Sequence, residues 1–439
     1  MNTPVQYQPS VIRGTRANQI ADSVEEAIRA GSLGPGAELP TVRKLAAELG
    51  VSPSTVAAAY RELRWRGLAA GSGRRGTRVR AHPPLSSHLP LTAPEGVVDL
   101  RTGGPDLDLL PVLPSPGGGT RGYGAPSVST RLAEVARSKL QEDGIDATNL
   151  AVVGGALDGV ERVVGAWLRP GDRIAVEDPG YTAALDLLNA LGLEVVPVAL
   201  DDRGARPEEL AVALGHGVAA VLLTPRAQNP TGTAWDARRA TDLSTVLAAH
   251  PAVLVIEDDH AGPAAGAPAF TSCRGRDRWA TIRSVSKWLS PDLRLAVMVG
   301  DPATVARVEG RQALGNGWVS YLLQHTVAEL WTDPAVVRLL DRAASVYAQR
   351  REALKDALAA RGLQASGTSG LTTWVPVVDE PGVVGGLLER GWAVSPGDRF
   401  RIVSAPGIRI ACGALDPAQA PQFARALAAC IEQRPRRSD

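Results

Sequence analysis

The sequence is poor in the residues that would mark a secreted, metal-binding or membrane protein. Its 439 residues hold three cysteines, Cys273, Cys412 and Cys430, an odd number at wide spacing. Neither a disulfide framework nor a zinc pattern follows from them, and a reducing cytoplasm is the expected compartment. The six histidines are scattered, and no metal site is expected of them. No apolar run reaches the roughly 18 residues that a membrane helix needs, so no membrane partner is expected. The N-terminus also has no charged start followed by an apolar stretch, so no signal peptide is expected.

Net charge is nearly absent as well, at +1, but it is unevenly spread. Residues 1–80 carry 12 Lys/Arg and 6 Asp/Glu, which leaves 35 and 40 for the remainder. A basic segment of net +6 ahead of a body of net −5 points to nucleic acid contacted at the N-terminus only. The length exceeds one ordinary domain, and 44% apolar residues suffice for a sizeable core.

The basic segment reads as three helices and a hairpin. Ile20, Val24, Ala27 and Ile28 recur at helical spacing over residues 14–31, and Gly31 stops the run. After the turn Gly34-Pro35-Gly36, a second helix runs from Thr41 to Leu49 and ends at Gly50. Ser52 suits the N-cap of a third, with Pro53 at its first position, and that helix reaches about Trp65. Two short helices joined by Gly50-Val51 form a helix-turn-helix, whose second helix enters the major groove by its N-terminal end. Ser52, Ser54 and Thr55 are small donors there. The stretch from Gly71 to Val79, with Arg74, Arg75 and Gly76, predicts a glycine-rich basic wing. Together the run Leu39-Pro40-Thr41-Val42-Arg43-Lys44-Leu45-Ala46, then Leu49-Gly50-Val51-Ser52-Pro53-Ser54-Thr55-Val56, Ala59-Tyr60, Gly67-Leu68 and Gly76-Thr77 closely resembles the GntR-type winged helix. That resemblance implies DNA contacts at Arg43, Ser52, Ser54, Thr55, Arg74, Arg75 and Gly76. Residues 81–98 are rich in Pro, Ser and Ala and read as a linker.

From about residue 99 apolar strands alternate with amphipathic helices. Strands are predicted at 172–177, 219–223 and 253–256, with helices near 181–191 and 235–249. This order argues an α/β domain with a mostly parallel sheet, whose ligands gather at the carboxyl ends of the strands. The sharpest segment is Ser284-Val285-Ser286-Lys287, with Arg294 seven residues on. A lysine amine forms a Schiff base with an aldehyde cofactor, and the hydroxyls and guanidinium suit a phosphate. Glu257-Asp258-Asp259-His260 is expected just after a strand, open to a magnesium site, a surface cluster or a pyridine-nitrogen partner. Asn229, in Asn229-Pro230-Thr231-Gly232, is a candidate donor to a phenolic oxygen, and Tyr181 a candidate ring stack. Gly154-Gly155-Ala156 opens a helix whose N–H groups suit a phosphate.

Taken in order, Tyr123-Gly124, Gly154-Gly155-Ala156, Asp178-Pro179-Gly180-Tyr181, Asn229-Pro230-Thr231-Gly232, Glu257-Asp258-Asp259, Ser286-Lys287 with Arg294, and Gly407-Ile408-Arg409 resemble fold-type I aminotransferases of class I/II over residues 99–430. The resemblance implies pyridoxal 5'-phosphate (PLP) as cofactor. Lys287 would form the Schiff base, Asp258 pair with the pyridine nitrogen, Asn229 contact the phenolic oxygen and Tyr181 stack on the ring. Gly155, Ala156, Ser284, Ser286 and Arg294 would hold the phosphate, Tyr123 would reach the neighbouring subunit's phosphate, and Arg409 would clamp a carboxylate. Two departures stand out. His260 occupies the place where such enzymes carry a tyrosine donor to the phenolic oxygen, and residues 153–156 lack the usual hydroxyl or amide side chains.

Residues 1–80, a linker 81–98 and a domain 99–439 give the layout of the MocR subfamily of GntR-type regulators, which the chain resembles throughout. The resemblance implies a cytoplasmic homodimer that binds double-stranded operator DNA and answers to PLP or to its adduct with an amino acid or amine. The two departures predict slow or absent transamination. The competing expectation is a working PLP-dependent aminotransferase with an accessory DNA-binding domain. A cofactor-free dimerisation scaffold fits less well, since it needs none of Lys287, Asp258, Asn229, Arg294 and Arg409.

Overall fold

A computed structural model of the chain describes residues 11–34, 36–65, 68–70, 77–79, 93–115 and 122–432, in two units. The N-terminal unit opens with the helix Ala17–Arg29, whose start is closed by Gln19 Oε1 accepting from the Thr15 and Arg16 amides. The second helix, Val42–Leu49, begins where Thr41 Oγ1 accepts from the Lys44 amide, and ends at Gly50 in the left-handed region, φ 64°. That conformation costs glycine little and turns the chain at once into the third helix, Pro53–Trp65. Ser52 caps the third helix, its Oγ accepting from the Thr55 amide at 3.2 Å.

Ile20, Val24, Leu45, Val56 and Leu63 are buried between the three helices. The Tyr60 hydroxyl, also inside, donates to the Pro40 carbonyl at 2.7 Å and ties the third helix to the entry of the second. The wing strands are Ala69–Ala70 and Thr77–Val79, antiparallel as expected of a hairpin. A third strand, Glu38–Leu39, pairs with the other edge of Thr77–Val79, which the sequence pattern did not suggest. The predicted wing residues Arg74, Arg75 and Gly76, and the linker up to residue 92, lie outside the described residues.

The second unit is built on an eight-stranded sheet. Its spatial order is Leu150–Val153, Ala296–Gly300, Trp279–Ser284, Leu254–Asp259, Ala220–Leu223, Arg173–Asp178, Glu194–Asp201 and Gly204–Ala205. The four strands from Trp279–Ser284 to Arg173–Asp178 are mutually parallel, and Ala296–Gly300 runs against its neighbours. Covered on both faces, these strands read as nearly continuous apolar runs. A smaller antiparallel sheet of Thr372–Pro376, Gly407–Ala411 and Ser395–Pro396 packs with the helices Pro334–Ala359, Glu380–Glu389 and Ala420–Glu432 around Leu354, Val375, Leu387, Ile408 and Phe423. This places Arg409 mid-strand. Among the described residues no helix is long and apolar enough to cross a membrane.

One expectation needs correction. The carboxylates Glu257, Asp258 and Asp259 do not follow their strand but are its last three residues, and Asp178 and Ser284 likewise close theirs. Parallel pairing with Trp279–Ser284 extends through Asp259, because the neighbouring strand continues as far. Strand geometry, not loop geometry, therefore sets where these side chains point.

Removing the Tyr60 hydroxyl tests the N-terminal packing. Tyr60→Phe leaves the Pro40 carbonyl without its donor and should cost about 1–2 kcal/mol. Thermal denaturation followed on the N-terminal unit should show a lowered midpoint, with cofactor uptake by the second unit unaltered.

Candidate cofactor site

Alternation along Leu254–Asp259 separates its three terminal carboxylates. Glu257 accepts from the Ser272 amide and hydroxyl and from the Thr281 hydroxyl. Asp259 accepts a two-point hydrogen bond from Arg226 and another from Arg283 at 2.6 Å, and Arg283 also meets Asp143. Burial works against the Asp259 charge, but the two guanidiniums hold its carboxyl well below the usual carboxylate range. Asp258, between them in sequence, points to the other face. It is buried, and its Oδ1 has no partner among the described residues. Burial first, then the charge of Asp259, pushes its carboxyl up to about 7. Glu177, also buried, is pushed up to about 7 by burial.

Lys287 stands three residues past the end of Trp279–Ser284, the strand paired with Leu254–Asp259. Its Nζ donates to the carbonyl of Gly103, and burial, then the positive charge of Arg409, lowers its pKa to about 8. Arg409 donates through Nη1 to Asn229 Oδ1 at 3.2 Å and through Nη2 to the Arg101 carbonyl and to Ser395 Oγ. Its guanidinium carbon sits 4.8 Å from the centre of the Phe400 ring. Since Asn229 Oδ1 accepts from Arg409, the amide nitrogen of Asn229 is its remaining donor. Tyr181 is 38% exposed and feels the charges of Asp258, Arg409 and Arg294, which places it among them.

A further group of residues has the chemistry to hold an anion. Gly155, φ 111°, caps the helix Ala156–Trp167. A Cβ there would lie 3.2 Å from Nη2 of Arg294, so the guanidinium stands over the helix start. The helix N-terminus adds its own partial positive charge. Ser286 Oγ is buried and has no partner among the described residues, while Ser284 Oγ accepts from the Ser286 amide. The expected cradle is narrower than the sequence implied, because the Gly154 amide is already donated to Asp158 Oδ2 at 2.7 Å. Asp158 is in turn paired with Arg162. Gly155 and Ala156 keep the free backbone positions.

His260 departs from its expected role. Its Nε2 lies 2.9 Å from the Ala227 carbonyl, so the imidazole donor is turned to the backbone. The sequence-predicted Lys287, Asp258, Asn229, Tyr181 and Arg409 are brought together, with Gly155, Ser286 and Arg294 at the anion end. Tyr123 is not among them. It is 96% exposed and meets Trp318 edge-on at 5.8 Å. Sequence reasoning missed Arg226, Arg283, Ser395 and the carbonyls of Arg101 and Gly103. Arg226 carried a readable signal, a charged residue between a buried strand and Asn229; a main-chain carbonyl carries none.

In the N-terminal unit, Arg43, Ser52 and Ser54 are exposed and Thr55 is half-buried. Ser52 Oγ lies 2.8 Å from both Ser54 Oγ and Thr55 Oγ1, a cluster of hydroxyls at the start of the third helix.

The second unit's site suits a flat heteroaromatic aldehyde bearing a phosphate. The orphan Asp258 Oδ1 can pair with a cationic N–H, the Ser286 hydroxyl and the Arg294 guanidinium over Gly155 can hold an anion, and a lysine of lowered pKa can add to an electrophile. These features define a fold-type I unit of the PLP-binding kind, carried behind a winged helix. Residues 117–427 match the family described as aminotransferase class I and II, and residues 16–79 match bacterial regulatory proteins of the gntR family. The chain is 39% identical to the vitamin B6 salvage pathway transcriptional repressor PtsJ of Salmonella typhimurium, across 93% of this chain and 97% of that protein. It is 28% identical to the HTH-type transcriptional regulator TauR of Rhodobacter capsulatus, across 94% and 97%. A kynurenine aminotransferase of Pyrococcus horikoshii shares the fold, with a TM-score of 0.69 at 22% identity, over 77% of this chain and 91% of that one. The chain belongs to the MocR subfamily of GntR-type transcription regulators, which join a winged helix to an aminotransferase-like unit.

Asp258 makes a pH-dependent prediction. Its ordinary value is 3.8 and the fold raises it to about 7, so folding favours the protonated acid. That contribution is intact below the ordinary value and is lost as pH rises towards the raised one. Asp258→Asn cannot ionise. Without cofactor, its melting temperature should gain on the unaltered protein as pH goes from about 5 to about 8. Its affinity for PLP should fall about tenfold or more, the worth of one charge-assisted hydrogen bond. Parallel melting curves and PLP titrations check both.

Proposed function

We propose that this chain is a transcription regulator whose operator binding responds to PLP, or to an amino acid or amine held with it. The observation that carries the proposal is the pairing, in one chain, of a helix-turn-helix bearing a donor cluster with a unit that leaves Asp258 Oδ1 without a partner among the described residues and ties the amine of Lys287 to a main-chain carbonyl. Residues 1–80 would bind DNA, 81–98 link, and 99–439 hold the ligand. Arg43, Ser52, Ser54, Thr55 and the wing residues Arg74, Arg75 and Gly76 would contact the duplex.

PLP, when bound, supplies an aldehyde that reacts with amines and a pyridinium that accepts negative charge. Lys287 would hold the aldehyde carbon, Asp258 the ring nitrogen and Asn229 the phenolic oxygen, with Tyr181 against the ring. The amides of Gly155 and Ala156, the hydroxyls of Ser284 and Ser286, and Arg294 would hold the phosphate. Arg409 would take the carboxylate of an amino-acid effector, since its fork matches a carboxylate in two hydrogen bonds. Exposed Tyr123 on Trp318, with Leu314 91% exposed, fits a homodimer in which Tyr123 serves the partner's phosphate. The free cysteines suit the cytoplasm.

Coupling to DNA requires that a ligand interact differently with two arrangements of the chain. Lys287 and Arg409, the groups an amino acid would engage, both donate to carbonyls of residues 101–103, just past the linker. A ligand on either group competes with those bonds and so acts on the segment that enters the second unit. The second reading, a working aminotransferase with an accessory DNA-binding domain, is favoured by the complete lysine, carboxylate and arginine set.

One preparation separates the two. Borohydride should fix PLP to Lys287, and Lys287→Ala should fold but lose the visible colour. Operator affinity should change on adding PLP or an amino acid, fall steeply with salt, and weaken for Arg43→Ala. Multiple-turnover formation of keto acid at about 1 s⁻¹ or faster, with operator affinity indifferent to every ligand, would favour the enzyme. A colourless protein that takes up no PLP would remove both readings.

A further inference from the structure

The hydrogen bond from His260 to the backbone has a chemical consequence. A carbonyl oxygen only accepts, so the 2.9 Å contact between Nε2 and the Ala227 carbonyl puts the ring hydrogen on Nε2. Ala227 is held so that this carbonyl cannot turn away. Its φ is +52°, in the left-handed region, and its amide donates to Ser369 Oγ at 3.1 Å. The Ser369 hydroxyl is itself anchored, donating to the Ala265 carbonyl at 3.0 Å. Gly370 closes the other side, where a side chain would approach to 2.4 Å of the Ala227 Cβ.

The charged groups acting on the ring are Lys287 from beyond Trp279–Ser284, Asp259 next to it at the end of Leu254–Asp259, and Arg226 from the loop after Ala220–Leu223. Asp259 is already shared between Arg226 and Arg283, and among the described residues the amine of Lys287 is tied to the Gly103 carbonyl and not to a carboxylate. Burial, then Lys287, lowers the His260 pKa to about 4, and the ring is neutral across the physiological range. A neutral imidazole with its hydrogen on Nε2 has a bare lone pair on Nδ1.

We propose that His260 is a positioning residue, locked as the Nε2–H tautomer by the Ala227 carbonyl, whose Nδ1 can only accept and favours the protonated form of the Lys287–cofactor linkage. The proposal rests on the reading of Lys287 as the cofactor lysine. His260 is half-buried, the charge of Lys287 acts on its ring, and Ala227, which takes its hydrogen, stands two residues before Asn229, whose amide nitrogen is left as a donor. An acceptor stabilises a proton on the linkage, on nitrogen or on the phenolic oxygen, whereas a donor stabilises its loss. The linkage therefore keeps its proton to a higher pH than a hydroxyl at position 260 would allow.

Two measurements test this. Nitrogen NMR of histidine-labelled, cofactor-free protein should show His260 with hydrogen on Nε2 only, and no titration between about pH 5 and pH 8. A ring that titrates there, or carries its hydrogen on Nδ1, overturns the proposal. In the PLP-loaded protein, the pH midpoint of the visible absorption should fall by about 1 unit or more in His260→Tyr, the scale of one hydrogen bond to a charged group. His260→Gln keeps an amide donor for Ala227 and an acceptor for the cleft, and should stay near the unaltered midpoint. An unmoved midpoint in His260→Tyr, or an equal fall in both variants, also overturns it. A protein that binds no PLP would end the proposed function instead, while the NMR result would still decide the tautomer.

Discussion

Asp259 takes two arginines, and Asp258 takes none. This unequal division of charge along one strand is the constraint on which the site depends. Both carboxylates are buried, and an unpaired buried charge is costly. On one face the cost is met by Arg226 and Arg283, whose guanidiniums are themselves buried and so are tied to Asp259 as firmly as it is to them. On the other face Oδ1 of Asp258 is left over. The fold thus spends an ion cluster on holding the strand end in place and keeps one carboxylate free for a cation it does not itself supply.

The positive groups of the cleft are handled differently. Lys287 and Arg409 both donate to main-chain carbonyls of the stretch 101–103, so neither has a protein carboxylate as partner there. A carbonyl is a weaker partner than a carboxylate, since only one side of the hydrogen bond is charged. A ligand carrying an aldehyde or a carboxylate can compete for these groups without first breaking an ion pair. The loop bearing Asn229 is fastened separately. Gly232, φ 68°, lies so close to the Thr372 carbonyl that a side chain would approach it to 2.0 Å, and its own carbonyl accepts from the Thr368 and Ser369 amides. Asn229 is therefore set by the small sheet as much as by its own strand.

Local chemistry made the N-terminal unit readable. Thr41, Gly50, Ser52 and Pro53 act within four residues of their positions, so the helix boundaries at Val42–Leu49 and Pro53–Trp65 follow from capping alone. The strand Glu38–Leu39 was not readable, because two residues have no periodicity and its partner is some forty positions away. In the second unit, alternation of strands and helices revealed the α/β architecture. Strand ends were misjudged where charged residues continue the pairing, as at Glu257–Asp259, because burial by neighbouring strands overrides the expectation that charges lie in loops.

What the sequence determined by itself was the inventory: a lysine, a carboxylate cluster, a glycine pair opening a helix, and an arginine near the C-terminus, all in an order that carries a family. Tertiary structure decided how each was used. Glu257, Asp258 and Asp259 are equivalent in composition, and only the pairing of Leu254–Asp259 with Trp279–Ser284, together with the arrival of Arg226 from the preceding loop, leaves Asp258 as the free one. The same holds for His260, a possible donor by residue type, whose hydrogen is claimed by the carbonyl of Ala227. Residue type sets which protons a group can hold, but the partner across space sets where they are, because hydrogen-bond direction and burial are properties of the assembled neighbours and not of the chain order.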